Sequence, residues 1–235
     1  MPDAPRFPSG TVTAALRPAL QTPAGPLVVG VTGHRPNRLH VGVDTVARRL
    51  AVVLRELRRG TRRCGRGRPR AVSSLAEGTD RLFAEIAVAL GYRLTALLPL
   101  ARDAYETTFA DQAATAHYRA LLLRAAEVRE LSGSLADTKS AYEAAGRALV
   151  DASDIVIAVW DGRPAAGRGG TPEIVGYAAS GRKPVIWVDA ESDRLPRLVA
   201  SPCAHGGRPI TLDSLARRAR PLTRRLLARM AAGRL

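Results

Sequence analysis

Apolar and polar positions along the chain alternate between two rhythms. Residues 27–32 (LVVGVT), 71–75, 92–98 and 155–160 are short, nearly unbroken apolar runs bounded by Gly, Pro or Asp, the pattern of strands buried on both faces. Residues 128–131 and 184–188 predict two further short strands. Between them the spacing turns helical. Asp44 suits a helix start, and positions 46, 50, 53, 54 and 57 form one apolar stripe that carries the helix to about Arg59. The stretch 60–69, rich in Gly and Arg, is expected to be a loop. Leu82, Phe83, Ile86 and Leu90 predict a helix over 79–90, closed by Gly91 as a cap. Residues 104–126, 136–151 and 172–180 read as three more, the last opened by Thr171 as N-cap and Pro172 at the first helical position. Residues 211–231 predict two short basic helices split at Pro221. Strand and helix in strict alternation imply an α/β, Rossmann-like, doubly wound and mainly parallel sheet with helices on both faces, residues 27–32 lying near 155–160.

The 235 residues and 46% apolar content suffice for one buried core. The expected division is a disordered Pro-rich leader over 1–26, the Rossmann-like domain over 27–190 and a basic helical tail over 191–235. No apolar run reaches the length of a membrane span, and the leader lacks a signal-peptide core. Cys64 and Cys203 lie far apart without metal-ligand spacing. These features predict a reduced cytoplasmic protein, with no metal, no cofactor and no membrane partner.

Charge is concentrated rather than spread. The net charge is +15, and residues 43–70 carry ten Arg against two acids while residues 208–235 carry eight Arg against one. Two basic faces of this kind attract phosphate-rich partners, so a weak nucleic-acid contact through them is an expectation. The plain alternative is solvated arginine in a chain where Arg outnumbers Lys 34 to 2. Neither segment interleaves aromatics for base stacking.

The candidate chemistry lies where the apolar runs end. Gly33, His34 and Arg35 follow the first strand; Glu77, Gly78 and Asp80 follow the second. Asp161, Gly162, Gly169, Gly170, Thr171 and Glu173 follow the run 155–160. In a doubly wound sheet these three loops meet at the carboxyl edge, where ligands bind. Glycines let a ligand approach the backbone, and a helix N-terminus favours an anion. Carboxylates accept from ribose hydroxyls while amides and Arg hold phosphate. A small-molecule nucleotide is the expected ligand. Tyr105 and Tyr142 are weighed as base-stacking surfaces and read more readily as core or rim aromatics.

These motifs together resemble the SLOG group of Rossmann-like domains. Gly30-Val-Thr-Gly33-His34-Arg35, Ser74-Leu-Ala76-Glu77-Gly78-Thr79-Asp80-Arg81, Asp154-Ile-Val-Ile-Ala-Val-Trp-Asp161-Gly162 and Gly169-Gly170-Thr171-Pro172-Glu173 follow one another in that group's order. The group includes DprA-type DNA-processing proteins, the LOG phosphoribohydrolases and nucleotide-sensing domains that recognise ADP-ribose-like ligands. The resemblance implies nucleotide binding as a sensor or regulatory module, with a homo-oligomer as a further expectation. Its alternatives are a LOG-like hydrolase cleaving the N-glycosidic bond of a nucleoside monophosphate, and DprA-like nucleic-acid binding. In the hydrolase, Glu173 would fall at the family's catalytic Glu, with Glu77 and Arg147 assisting. Arg147 stands about two residues from the register of the family's Arg, so binding ranks ahead of hydrolysis.

Overall fold

Among the described residues an eight-stranded sheet runs in the order β4-β3-β2-β1-β5-β6-β7-β8. The structure is a computed structural model describing residues 25–164, 169–200, 220–221 and 223–232. The strands are β1 (Val28–Gly33), β2 (Arg70–Ser73), β3 (Arg93–Leu98), β4 (Glu127–Glu130), β5 (Ile155–Trp160), β6 (Val185–Asp189), β7 (Arg197–Ala200) and β8 (Arg220–Pro221). The first six are mutually parallel, and β7 and β8 add an antiparallel edge. β1 pairs with β5, Val29 opposite Ile155 and Gly33 opposite Val159. The chain steps outward from β1 to β4 on one side, then returns to β5 and continues outward on the other. The switch point falls between β1 and β5.

Helices cover both faces. α1 (Val43–Arg63), α2 (Thr79–Ala89), α3 (Arg102–Glu106) and α4 (Gln112–Arg124) share one cluster with Val29, Val31, Ile155 and Ile157. α5 (Thr138–Asp151) and α6 (Thr171–Ser180) bury the opposite face, against Val72, Val156, Ala158 and Trp160. Strand residues alternate between the two clusters, as the period-2 geometry of a pleated sheet requires. A last helix, α7 (Arg224–Ala231), lies on α1 and places Leu227, Met230 and Ala231 in the larger core.

Several expectations change. α1 begins after Gly42 as N-cap, with Asp44 in its first turn, and runs through Gly60 to Arg63 where a loop is expected. Helix propensity disfavours Gly60. Burial against α7 overrides it, because a Cβ there would sit 2.5 Å from Ala231 Cβ. The helix expected over 104–126 is two, α3 and α4, separated where Asp111 turns its carboxylate back onto the Ala114 amide at 2.7 Å as an N-cap. α5 is preceded by a 3₁₀ turn, Leu135–Asp137. α6 takes Gly170 as its N-cap, so Thr171 and Pro172 each lie one position further into the helix than expected. The fold also continues past residue 190, through β7, β8 and α7. Pro221 ends a short strand rather than splitting two helices; residues 211–219 lie outside the described residues, as does almost all of the leader 1–26. Among the described residues no helix is long and apolar enough to cross a membrane.

Candidate functional site

Three loops and one helix face enclose a cavity of about 410 Å³ at the carboxyl edge of the sheet, on the side covered by α5 and α6. The loop after β1 contributes Gly33, His34, Arg35 and, in a 3₁₀ turn, Asn37 and Arg38. The loop after β2 contributes Ser74, Ala76 and Glu77, with Asp80 from the first turn of α2. Gly169, Gly170 and Thr171 arrive from the start of α6. The floor and far wall are Tyr105, Pro99 and the α5 face formed by Tyr142, Ala145, Gly146 and Leu149.

Close packing fixes the first two loops to each other. The His34 amide donates to Val159 O at 3.1 Å, and its carbonyl accepts from Thr79 Oγ1 at 2.8 Å. A side chain at Gly33 would place its Cβ 2.7 Å from Thr79 Oγ1. Gly78 has φ +95°, and a Cβ there would meet Pro36 Cδ at 2.8 Å. Only glycine accepts both that conformation and that approach. Leu75 adopts φ +55° although it is fully buried. Its carbonyl accepts from Arg81 Nε at 2.9 Å, and its amide donates to Ser73 Oγ at 3.1 Å. Backbone in this region persists in a non-glycine residue only when its surroundings hold it.

On the β5 side, Asp161 is the centre of a buried charge knot. Its Oδ2 lies 2.5 Å from Arg38 Nη2, its Oδ1 lies 3.1 Å from His34 Nε2, and Oδ1 also accepts from the Arg163 amide at 3.0 Å. Burial acts to raise this carboxyl, but the Arg163 amide, His34 and Arg38 outweigh it and hold it down at about 2. Burial lowers the His34 imidazole from its ordinary value, and the bond to Asp161 opposes that shift without cancelling it. The pair is therefore an ionised Asp161 beside a neutral His34. Asp80 behaves differently. Burial pushes its carboxyl up to about 7, against the Ala76 and Ser74 amides that donate to it and the more distant Arg81 and Arg35. Near neutrality it can either donate or accept a hydrogen bond within the cavity.

Gly33, His34, Arg35, Glu77, Asp80, Gly169, Gly170 and Thr171 thus line one cavity. Gly78, Asp161 and Gly162 stand behind the wall: Gly78 seats Pro36, Asp161 anchors Arg38, and a Cβ on Gly162 would pack at 3.2 Å from Trp187. Glu173 does not line the cavity. Its Oε2 accepts from the Gly169 amide at 2.7 Å, and its Oε1 lies 3.7 Å from Arg147, which also bonds Glu143 at 2.6 Å. Glu77 lines the cavity, and its Oε1 accepts from the Ala110 amide at 3.0 Å. Pro99 and the α5 residues Ala145, Gly146 and Leu149 are among the lining groups the sequence reading did not select. A Cβ on Gly146 would meet Ile174 Cγ1 at 2.7 Å, so the close packing of α5 on α6 requires glycine there. Among the described residues no three His, Cys, Asp or Glu side chains gather to hold a metal ion.

No family model and no curated protein matches the chain. Among solved structures it is similar to DNA processing protein A (DprA) from Streptococcus pneumoniae, with a TM-score of 0.50 and 19% identity, covering 72% of this chain and 54% of that one. The chain therefore spans about half the length of that protein. A second structure, TM1055, has a TM-score of 0.41 and 13% identity over 68% of this chain and 72% of its own, too distant to carry an argument. The likeness to DprA shows the fold, a Rossmann-like, mainly parallel α/β sheet.

Proposed function

We propose that this chain binds a nucleotide or nucleotide-derived ligand, a nucleoside phosphate or an ADP-ribose-like molecule, in the cavity beside the β1–β5 switch point, and acts as a sensor or regulatory module. One observation carries the reading. The N-termini of α2 and α6, both without a side-chain cap, converge with Arg35 on one cavity of about 410 Å³. The Thr79 amide donates to His34 O and the Glu173 amide to Gly170 O, so the attraction for phosphate comes from the positive ends of the two helix dipoles together with Arg35. Glu77 and Asp80 are placed to accept from ribose hydroxyls, and Tyr142 with Leu149 offers an apolar wall to a base. The cavity volume lies within the range of small-ligand sites.

Binding ranks above hydrolysis on the engagement of the two carboxylates, Glu173 and Glu77, that the family resemblance would assign to hydrolysis. N-glycosidic cleavage needs a carboxylate free to act at the bond being broken. Glu173 is tied to Gly169, and Glu77 is tied to Ala110. The test is mass spectrometry of small molecules released from the purified protein, followed by thermal melts with adenine and guanine nucleotides and ADP-ribose. A ligand present at one hundred times its Kd adds about 2.7 kcal/mol, so the melt should rise by about 5–10 °C. No stabilisation by any member of the panel would overturn the reading. Base release from a nucleoside monophosphate would replace it with the hydrolase.

A further inference from the structure

The two arginine-rich segments meet in space. α7 lies against the C-terminal half of α1, brought close by Gly60, where a Cβ would fall 3.4 Å from Ala228 Cα. The groove between them, about 910 Å³, is walled by Arg59, Arg62 and Arg63 from α1 and by Arg224, Arg225 and Arg229 from α7. All six are exposed. Glu56 is the one carboxylate lining the groove, bonded to Arg59 at 2.6 Å and 3.8 Å from Arg224. Arg62, Arg63 and Arg225 have no ion-pair partner among the described residues. Like charges three and four residues apart destabilise a helix. Here they are held facing one groove because Leu227, Met230 and Ala231 are buried on the other side of α7.

We propose that this groove is a second binding site, which grips the phosphate backbone of a nucleic acid. Guanidinium groups present planar pairs of donors that match phosphate oxygens. Arg59 to Arg63 spans about 6 Å along the helix, enough to meet successive phosphates. The groove has no aromatic side chain, so backbone contact rather than base stacking is its mode. A membrane surface fits less well, because the apolar side chains of α7 are buried and leave nothing to insert. A protein interface would have an apolar centre, which Ala228 and Ala232 alone do not supply. α1 follows β1 and runs back antiparallel to it. The groove therefore lies at the amino edge of the sheet, away from the nucleotide cavity, and does not depend on the reading proposed for that cavity.

The experiment is fluorescence anisotropy of the full chain with a labelled 20-base-pair duplex of mixed sequence, across about 50–300 mM salt. Saturable binding, indifferent to sequence, is expected, with log K falling against log salt at a slope of about −4 to −5. Arg62→Glu/Arg63→Glu/Arg225→Glu should weaken binding at least about 30-fold and flatten the slope by about 3. A control, Arg124→Glu/Arg182→Glu/Arg194→Glu, makes the same change in net charge at exposed positions elsewhere. It should cost less than about 5-fold, since a site is geometric whereas bulk charge is not. The milder Arg62→Gln/Arg225→Gln pair serves if the triple reversal fails to fold. Equal loss in the control, no saturable binding at the lowest salt, or tighter binding to phosphatidylserine vesicles than to the duplex would each overturn the proposal.

Discussion

The wall of the cavity after β2 and the wall after β5 each bury a carboxylate, and their surroundings drive the two in opposite directions. Asp161 has Arg38 at 2.5 Å and His34 at 3.1 Å, so it stays ionised despite 2% side-chain exposure. Asp80 has two backbone amides and only distant cations, and burial wins. Burial alone therefore decides nothing. What decides is the set of donors opposing burial: for Asp161 the Arg163 amide, His34 and Arg38 together outweigh it, whereas for Asp80 the Ala76 and Ser74 amides do not. The β5 wall is a locked knot that needs its charge, while the β2 wall carries a group whose proton is exchangeable near neutral pH.

The sharpest way to break this contrast is the pH dependence of stability. Asp80 is raised on folding, so its contribution is complete below about pH 4 and is lost as pH rises to about 7. Moving from the ordinary carboxylate range to about 7 corresponds to about 4 kcal/mol. Urea unfolding should show this decline, and Asp80→Asn should abolish it and be the more stable protein at pH 8. The same variant should flatten the pH dependence of nucleotide binding. A wild type whose stability rises between pH 4 and 7, unchanged by the substitution, would sink the assignment.

Asp161 predicts the opposite slope. Its folded value is depressed, so its contribution is present above about pH 4 and lost as pH falls to about 2. Asp161→Asn should cost about 2–3 kcal/mol at pH 7, because Arg38 and His34 lose their anion. Crystals of the variant should show Arg38 swung away from β5. An Asn variant as stable as wild type, with Arg38 in place, would mean that the knot is decorative.

Between the two walls lies the proposed anion position, and Gly170→Asp separates binding from folding there. Gly170 has φ −84° and ψ 161°, a conformation any residue adopts. Asp is moreover a favourable N-cap. The melt without ligand should stay within about 2 °C of wild type, or rise slightly. Nucleotide affinity should nevertheless fall at least about tenfold, as a carboxylate occupies the position meant for phosphate. Undiminished binding in calorimetry would move the phosphate elsewhere.

The strand ends were legible in the sequence because apolar runs stopping at Gly33 and Asp161 fix where each strand leaves the core, and parallel order puts those ends on one edge. The loop residues of the cavity followed from that. The α5 wall did not, because which face of a helix points at a cavity depends on packing across the sheet. Leu149, for example, is positioned by Gly30, where a Cβ would come within 2.7 Å of its Cδ2. Nor was the path of α1 through Gly60 legible, since the contact that sustains it comes from Ala231 near the other end of the chain. Glu173 was placed correctly on the helix and wrongly in the cavity. Sequence position fixes a residue's turn of helix, but the Gly169 amide determines where its carboxylate goes.

The smallest expected effect belongs to Glu173, and it bears most directly on what the cavity does. The Glu173 carboxylate accepts one amide bond at the rim, and its charge neighbour Arg147 already bonds Glu143. Glu173→Ala should therefore cost only about 0.5–1 kcal/mol, since water can replace a part-exposed acceptor. Loosening the Gly169–Gly170 turn should weaken nucleotide binding about 2- to 5-fold, a change of under 1 kcal/mol. A residue acting on the glycosidic bond would behave otherwise: affinity would be kept while base release fell by orders of magnitude, as loss of a contact made only in the transition state requires. Titration calorimetry and chromatographic detection of free base, run on the same two proteins, separate these outcomes. A modest loss of affinity with no base released by either protein is the result that follows from a carboxylate engaged by backbone.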